Sequence, residues 1–184
     1  MKQISDFLLR ITNVWTLLAA TLIFAVFIAV ILPQQSAASA EYSEGVGSVD
    51  TSFFYTPDDV YEIAESYGEA GRHAYITARL TFDVVWPLAY TFFFGTLISF
   101  VFKRAFLLDS RWQLANLVPV LGLLFDYGEN VNISIIMAAF PLRLDWLAWL
   151  TAIFTMLKWT FVNASFAVPF IGFGVLIVKR LRRG

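Results

Sequence analysis

LGLLFDYGENVNISIIM, residues 121–137, sets Asp126, Glu129, Asn130 and Asn132 inside a run that is otherwise fit for lipid. A charge at the centre of a bilayer costs roughly 2.5–3.5 kcal/mol on insertion scales. Groups elsewhere in the chain have to offset that cost, and finding them amounts to finding how the helices pack.

The chain around this run is that of an integral membrane protein. Of 184 residues, 59% are hydrophobic and 15% charged, with 19 Phe and 6 Trp; soluble domains carry about 25% charged residues. The mean hydropathy is +0.69. There is no cysteine, which excludes a disulfide, a thiolate nucleophile and a cysteine metal centre. The single histidine, His73, leaves any metal to carboxylates, which suit hard cations only. Neither a metal nor a cofactor is expected. No glycine-rich phosphate loop, HExxH, nucleophile elbow or nucleic-acid motif is present, so no nucleic-acid partner is expected.

Four stretches, 14–32, 80–102, 114–140 and 146–178, meet the need of a hydrocarbon core for about 20 helical residues. The last makes roughly 50 Å of helix at 1.5 Å per residue, so it should tilt, bend near Pro169 or project. A basic start and Ala38-Ser39-Ala40 imitate a secretory signal, but the first apolar run exceeds the usual 7–15-residue signal core and is expected to remain as a helix. Nine Lys and Arg flank one side (Lys2, Arg10, Lys103, Arg104, Arg111, Lys179, Arg180, Arg182, Arg183) and three the other (Arg72, Arg79, Arg143). The positive-inside rule then predicts cytoplasmic N and C termini.

The acidic 33–79 loop should face out. Residues 34–52, rich in Ser, Ala, Gly and Glu with no apolar period, read as an irregular link. Thr56-Pro57-Asp58-Asp59 reads as an N-cap, a first-turn proline and first-turn acids, opening a short amphipathic helix over 57–67 that Gly68 ends. Its Val60, Ile63, Ala64 and Tyr67 share an apolar face.

Counting along each span puts the costly residues at one depth. Asp126 lies about 18 Å above the inner end of its span, and Glu129 about 4 Å higher; Asp83 and Lys158 also fall in the outer half. Asp126, Glu129, Asn130 and Ile133 share a helix face. Arg79 is one turn from Asp83 and able to pair with it, and Tyr90 continues that stripe. Asp126 and Glu129 should therefore be held by Lys158, with Asp83, Arg79 and Asn130 around them, and with Trp159 beside Lys158. Arg79, Asp83, Tyr90, Asp126, Glu129, Asn130, Lys158 and Trp159 form the candidate ligand-binding or polar network. Such a set is either interhelical glue, whose contacts average under about 1 kcal/mol, or a functional site. Trp86, Trp112, Trp146 and Trp149, near span ends, read as interface anchors.

The run Tyr67-Gly68-x-x-Gly71-Arg72, Asp83-x-x-x-Pro87-x-x-Tyr90 and Asp126-x-x-Glu129-Asn130 resembles small prokaryotic four-span membrane proteins, a likeness that brings no function with it. More loosely, the layout resembles the emopamil-binding, sterol-isomerase-like family. That resemblance implies a membrane-embedded acidic and aromatic cavity, with Asp83, Asp126 and Glu129 as its acids and Trp159 as a wall. The chain departs from the family in having no histidine in its spans and Lys158 in the middle of the cavity.

The expectation is an all-α, single-domain membrane four-helix bundle with a short extracytoplasmic helix. It would bind membrane lipid and a small or lipid-like molecule, or serve as an accessory subunit of a membrane-protein partner or homo-oligomer. The alternatives are a lipid-modifying isomerase with Glu129 or Asp126 as proton donor, and a proton-coupled carrier.

Overall fold

The computed structural model describes residues 2–43, 46–49 and 52–182. Arg183, counted above in the basic flank, lies outside the described residues, as do Glu44 and Asp50 of the acidic loop. Six helices are present among the described residues: α1 (Lys2–Ile11), α2 (14–43), α3 (Pro57–Ser66), α4 (Gly68–Ala105), α5 (Val118–Ala139) and α6 (Asp145–Leu181). A 3-10 segment, Arg111–Leu117, leads into α5.

α1 buries Ser5 and Leu8 against the end of α4 and the 3-10 segment. Lys103 donates to the carbonyls of Leu9 and Thr12 at 3.0 and 3.1 Å, satisfying acceptors that a helix C-terminus leaves open. Asn13 then caps α2, accepting from the Trp15 and Thr16 amides at 2.8 and 3.1 Å.

α2 has a visible fault with a local cause. Its α-helical parts, Val14–Val26 and Leu32–Ser43, are joined by a π turn over Phe27–Ile31. Pro33 lacks an N–H, and its ring crowds the carbonyl four residues back, that of Ala29. The backbone widens just there, with the Leu32 N–H bonding to the Phe27 carbonyl. The helix nevertheless continues to Ser43, which corrects the expected irregular link at its first ten residues.

α3 opens behind Thr56, whose hydroxyl accepts from the Asp59 amide at 3.4 Å while the Asp59 carboxylate accepts from the Thr56 amide at 2.7 Å. It buries Pro57, Val60, Tyr61 and Ala64. Gly68, at φ +60°, takes the left-handed conformation that glycine adopts at least cost, and the chain turns directly into α4. Arg72 reaches back to the Ala64 carbonyl at 2.8 Å. α4 breaks for one residue at Thr81, between Gly68–Leu80 and Phe82–Ala105.

The expected four-helix bundle is not what forms. Among the described residues three helices, not four, are long and apolar enough to cross a membrane by themselves: Val14–Glu41, Gly68–Ala105 and Asp145–Leu181. The stretch expected as a third span is helical as α5, but Asp126, Glu129, Asn130 and Asn132 lower its hydropathy; these polar residues turn toward the other helices, while Leu124, Val131 and Ile135 stay exposed on its outer face. α5 packs against both α4 and α6, antiparallel to each: Tyr90 and Asp126 meet, as do Thr91 and Pro119, and Glu129 meets Lys158. α4 and α6 are parallel, Phe94 meeting Phe166 edge to face and Lys179 bonding to the Ala105 carbonyl. α2 stands outside this trio, leaning on α4 through Phe24 and Phe27. The three long apolar helices make the chain a polytopic integral membrane protein.

Two cores result. One, near α3, contains Tyr55, Tyr61, Tyr67, Tyr75, Ile133, Ile136 and Met137. The other, toward the opposite end, is built from Tyr90, Phe94, Ile98, Val101 and Phe102.

Candidate functional site

Between the two cores lies a polar layer. Arg79 and Asp83, on either side of the Thr81 break, pair at 3.0 Å, and the guanidinium sits 4.6 Å from the centre of the Tyr75 ring. Asp126 accepts from the Tyr90 hydroxyl at 3.2 Å and from the Asn130 amide at 3.0 Å. Glu129, only 1% exposed, pairs with Lys158 at 2.5 Å. The Lys158 ammonium lies 5.3 Å from the centre of the Trp159 ring.

Pro87 explains part of this arrangement. A proline inside a helix deprives the carbonyl four residues earlier of its donor, here that of Asp83, and in membranes neighbouring helices make good such losses. Asn130 from α5 does so, its amide pointing at the Asp83 carbonyl at 3.4 Å. One amide thereby ties a backbone carbonyl on α4 to a carboxylate on α5.

All eight residues singled out from the sequence come from α4, α5 and α6 and meet in or beside this layer. Lys158 makes an ion pair with Glu129, and Tyr90 and Asn130 bond Asp126. Among the described residues no group of three or more His, Cys, Asp or Glu side chains is placed to hold a metal.

A cavity of about 560 Å³ opens beside the layer. Arg79, Asp83, Tyr90, Asp126, Lys158 and Trp159 line its charged part; Glu129 and Asn130 stand behind them and do not line it. Its floor is aromatic and apolar, from Phe24, Trp86, Phe94, Val162 and Phe166. The remaining wall is α2, through Ile28, Gln35, Ser36, Ser39 and Ser43. Polarity is thus graded from a hydroxyl-rich wall through a charged belt to an aromatic floor. A molecule with a polar end and an apolar body would find a counterpart for each part, with charge-assisted hydrogen bonds at the belt.

Two contributors escaped the sequence reading. Trp86, read as an interface anchor, lines the cavity and stacks with Phe24 and Phe27, ring centres 5.8 and 5.6 Å apart. The α2 wall was read as an irregular link for want of an apolar period. Its signal was a polar period: Gln35, Ser36, Ser39 and Ser43 recur at helical spacing and face one way.

No family model, curated protein or solved structure matches the chain. The two resemblances noted in the sequence are corrected accordingly: both depended on a four-span layout, and three helices are long and apolar enough to span.

Proposed function

We propose that this polytopic membrane protein binds a small amphiphilic, lipid-like molecule in the cavity between α2 and the α4–α5–α6 trio. The observation that carries this reading is the graded lining: Arg79, Asp83, Asp126 and Lys158 at one level, Trp86, Phe94 and Phe166 at the next. A volume of about 560 Å³ falls within the roughly 300–1,000 Å³ typical of small-molecule pockets. Arg79, Asp83, Tyr90, Asp126, Lys158 and Trp159 would meet the ligand, and Glu129 and Asn130 would hold Lys158 and Asp126 in place.

We further orient the molecule with its basic end toward the cytoplasm. Lys103 and Lys179 both act at that end, on the carbonyls of Leu9 and Ala105, while Asp58, Asp59, Glu62 and Glu65 on α3 lie at the other; the positive-inside rule supports this placement. The cavity then belongs to the outer leaflet.

Native mass spectrometry with lipid analysis of the purified protein tests the binding reading. The wild type should carry an amphiphile-sized adduct that survives mild activation. Val162→Trp, which pushes an indole into the cavity, should lose it. Equal adducts on both proteins, or none on the wild type after extraction in mild detergent, would overturn the reading.

A further inference from the structure

The wall formed by α2 differs from the others in how it is held. α2 packs on α4 through rings: Phe24 on Phe93 at 4.4 Å, and Phe27 on Trp86 and Phe82 at 5.6 and 6.4 Å between centres. Against α6, on the other side of the cavity, no part of α2 makes more than marginal contact. The cavity is therefore closed toward α4 and slotted between α2 and α6. Both edges of that slot are membrane helices, so it opens sideways, into lipid. The π turn at Phe27–Ile31 sits beside this slot, at the level of Ile28. Such turns weaken the regular hydrogen-bond ladder and recur at functional sites.

From this we infer that the cavity is filled laterally from the bilayer, through the slot between α2 and α6, by a single-chain amphiphile with a zwitterionic head, α2 bending at its π turn to admit it. The inference rests on the binding reading above and adds the ligand class and the route. The head follows from the belt. Cations (Arg79, Lys158) and carboxylates (Asp83, Asp126) line the same space, so a head of one sign would meet its own sign in a medium that screens poorly. A head with both signs would meet a partner for each. The single chain follows from shape. The aromatic floor narrows between Phe24, Phe94 and Phe166, with Phe94 and Phe166 already in edge contact at 4.5 Å between centres, and a second chain would have to lie outside the slot.

The hinge can be perturbed without touching the lining, because neither Phe27 nor Pro33 lines the cavity. Phe27→Ala removes part of the clasp on α4 and should speed ligand exchange several-fold. Phe27→Leu, which keeps an apolar contact, should do so less. Pro33→Ala removes the cause of the π turn and should slow exchange. The probes are lysophosphatidylcholine and phosphatidylcholine carrying the same diazirine near the chain end, each in vesicles of dioleoyl phosphatidylcholine containing the purified protein.

In the wild type the single-chain probe should label the side chains of Trp86, Phe94 and Phe166, resolved residue by residue in fragment spectra, in competition with unlabelled lysophosphatidylcholine. The two-chain probe should label outward positions such as Leu88 and Phe170, which are 52% and 72% exposed. Equal floor labelling by the two-chain probe would overturn the ligand class. Floor labelling by the single-chain probe with exchange unmoved in both Phe27→Ala and Pro33→Ala would overturn the route and leave the binding reading standing. No competed floor labelling by either probe would remove the binding reading with it.

Discussion

α2 and α5 invert each other. α2 carries the most apolar of the three long stretches, yet only 6% of that stretch is buried within the protein. Leu18, Leu22, Val26 and Val30 are each more than two-fifths exposed. α5 carries Asp126, Glu129, Asn130 and Ser134, and every one of them is buried. In water this would be an inside-out protein. In a bilayer the apolar helix can be left to the lipid, whereas polar groups must find partners inside the protein because the hydrocarbon offers none. Hydropathy here marks the surface, and polarity marks the centre of the packing.

The most severe way to break this contrast is to remove the partner that makes the centre tolerable. Lys158→Met leaves Glu129, 1% exposed, without the ammonium at 2.5 Å. Removing one member of a buried pair typically costs about 3–5 kcal/mol. Thermal unfolding in detergent should show a loss on that scale for Lys158→Met. The double variant with Glu129→Gln should recover part of it, because neighbours in one network couple. Additive losses would mean that the pair stores no mutual energy. A lipid-facing truncation on α2, Leu22→Ala at a site 65% exposed, should cost far less than Lys158→Met.

A second contrast lies within one helix. Gly172 and Gly174 are neighbours on α6 but face different media. A Cβ at Gly172 would stand 2.5 Å from the Val101 Cγ1 and 3.0 Å from the Phe102 ring, and the short β-branched valine has little freedom to withdraw. Gly172→Ala should destabilise by about 1–3 kcal/mol through overpacking. A Cβ at Gly174 would meet nothing within 4 Å, so Gly174→Ala should stabilise by roughly 0.5–1 kcal/mol, the usual gain over glycine inside a helix. Matching signs for the two, in denaturant or heat, would show that α4 and α6 do not meet at this point.

How much could be read beforehand follows the same division. Counting 1.5 Å per residue along helices brings Asp83, Asp126, Glu129 and Lys158 to one depth, the one-turn spacing adds Arg79 beside Asp83, and in the fold they share one polar layer. Helical geometry is local, so depth and facing can be read from one chain. Partner choice is not local: nothing in the sequence says that Lys158 meets Glu129 while Tyr90 and Asn130 take Asp126. The bond from Asn130 to the carbonyl freed by Pro87 joins positions far apart in the chain. The span count failed because length and apolar flanks were given more weight than Asp126, Glu129, Asn130 and Asn132, which lower the hydropathy of 118–139 below that of the three long apolar helices. Residues 34–43 show no apolar period because the face that α2 turns to the cavity there is polar.

The smallest effect tests the region that water reaches. At the start of α3, Thr56 and Asp59 cap each other, the Asp59 carboxylate accepting from both the amide and the hydroxyl of Thr56 at 2.7 Å. These bonds favour the ionised form and hold Asp59 below its ordinary carboxylate range, overriding the slight opposing effect of burial. A group whose pKa is lower in the folded state lends stability that is full above its unfolded pKa and disappears as pH falls through the folded value. The contribution of the cap should therefore be constant at neutral pH and fade below the ordinary aspartate range. Thr56→Ala removes the hydroxyl half of the box and should cost about 0.5–2 kcal/mol at neutral pH. The gap between the two proteins should narrow in acid, because protonated Asp59 no longer accepts from the threonine. Hydrogen exchange of the amides of residues 58–66, in wild type and variant across this range, reads the cap without unfolding the membrane helices. A gap that stays constant into acid would show that the cap works through the threonine alone, with no contribution from the charge of Asp59.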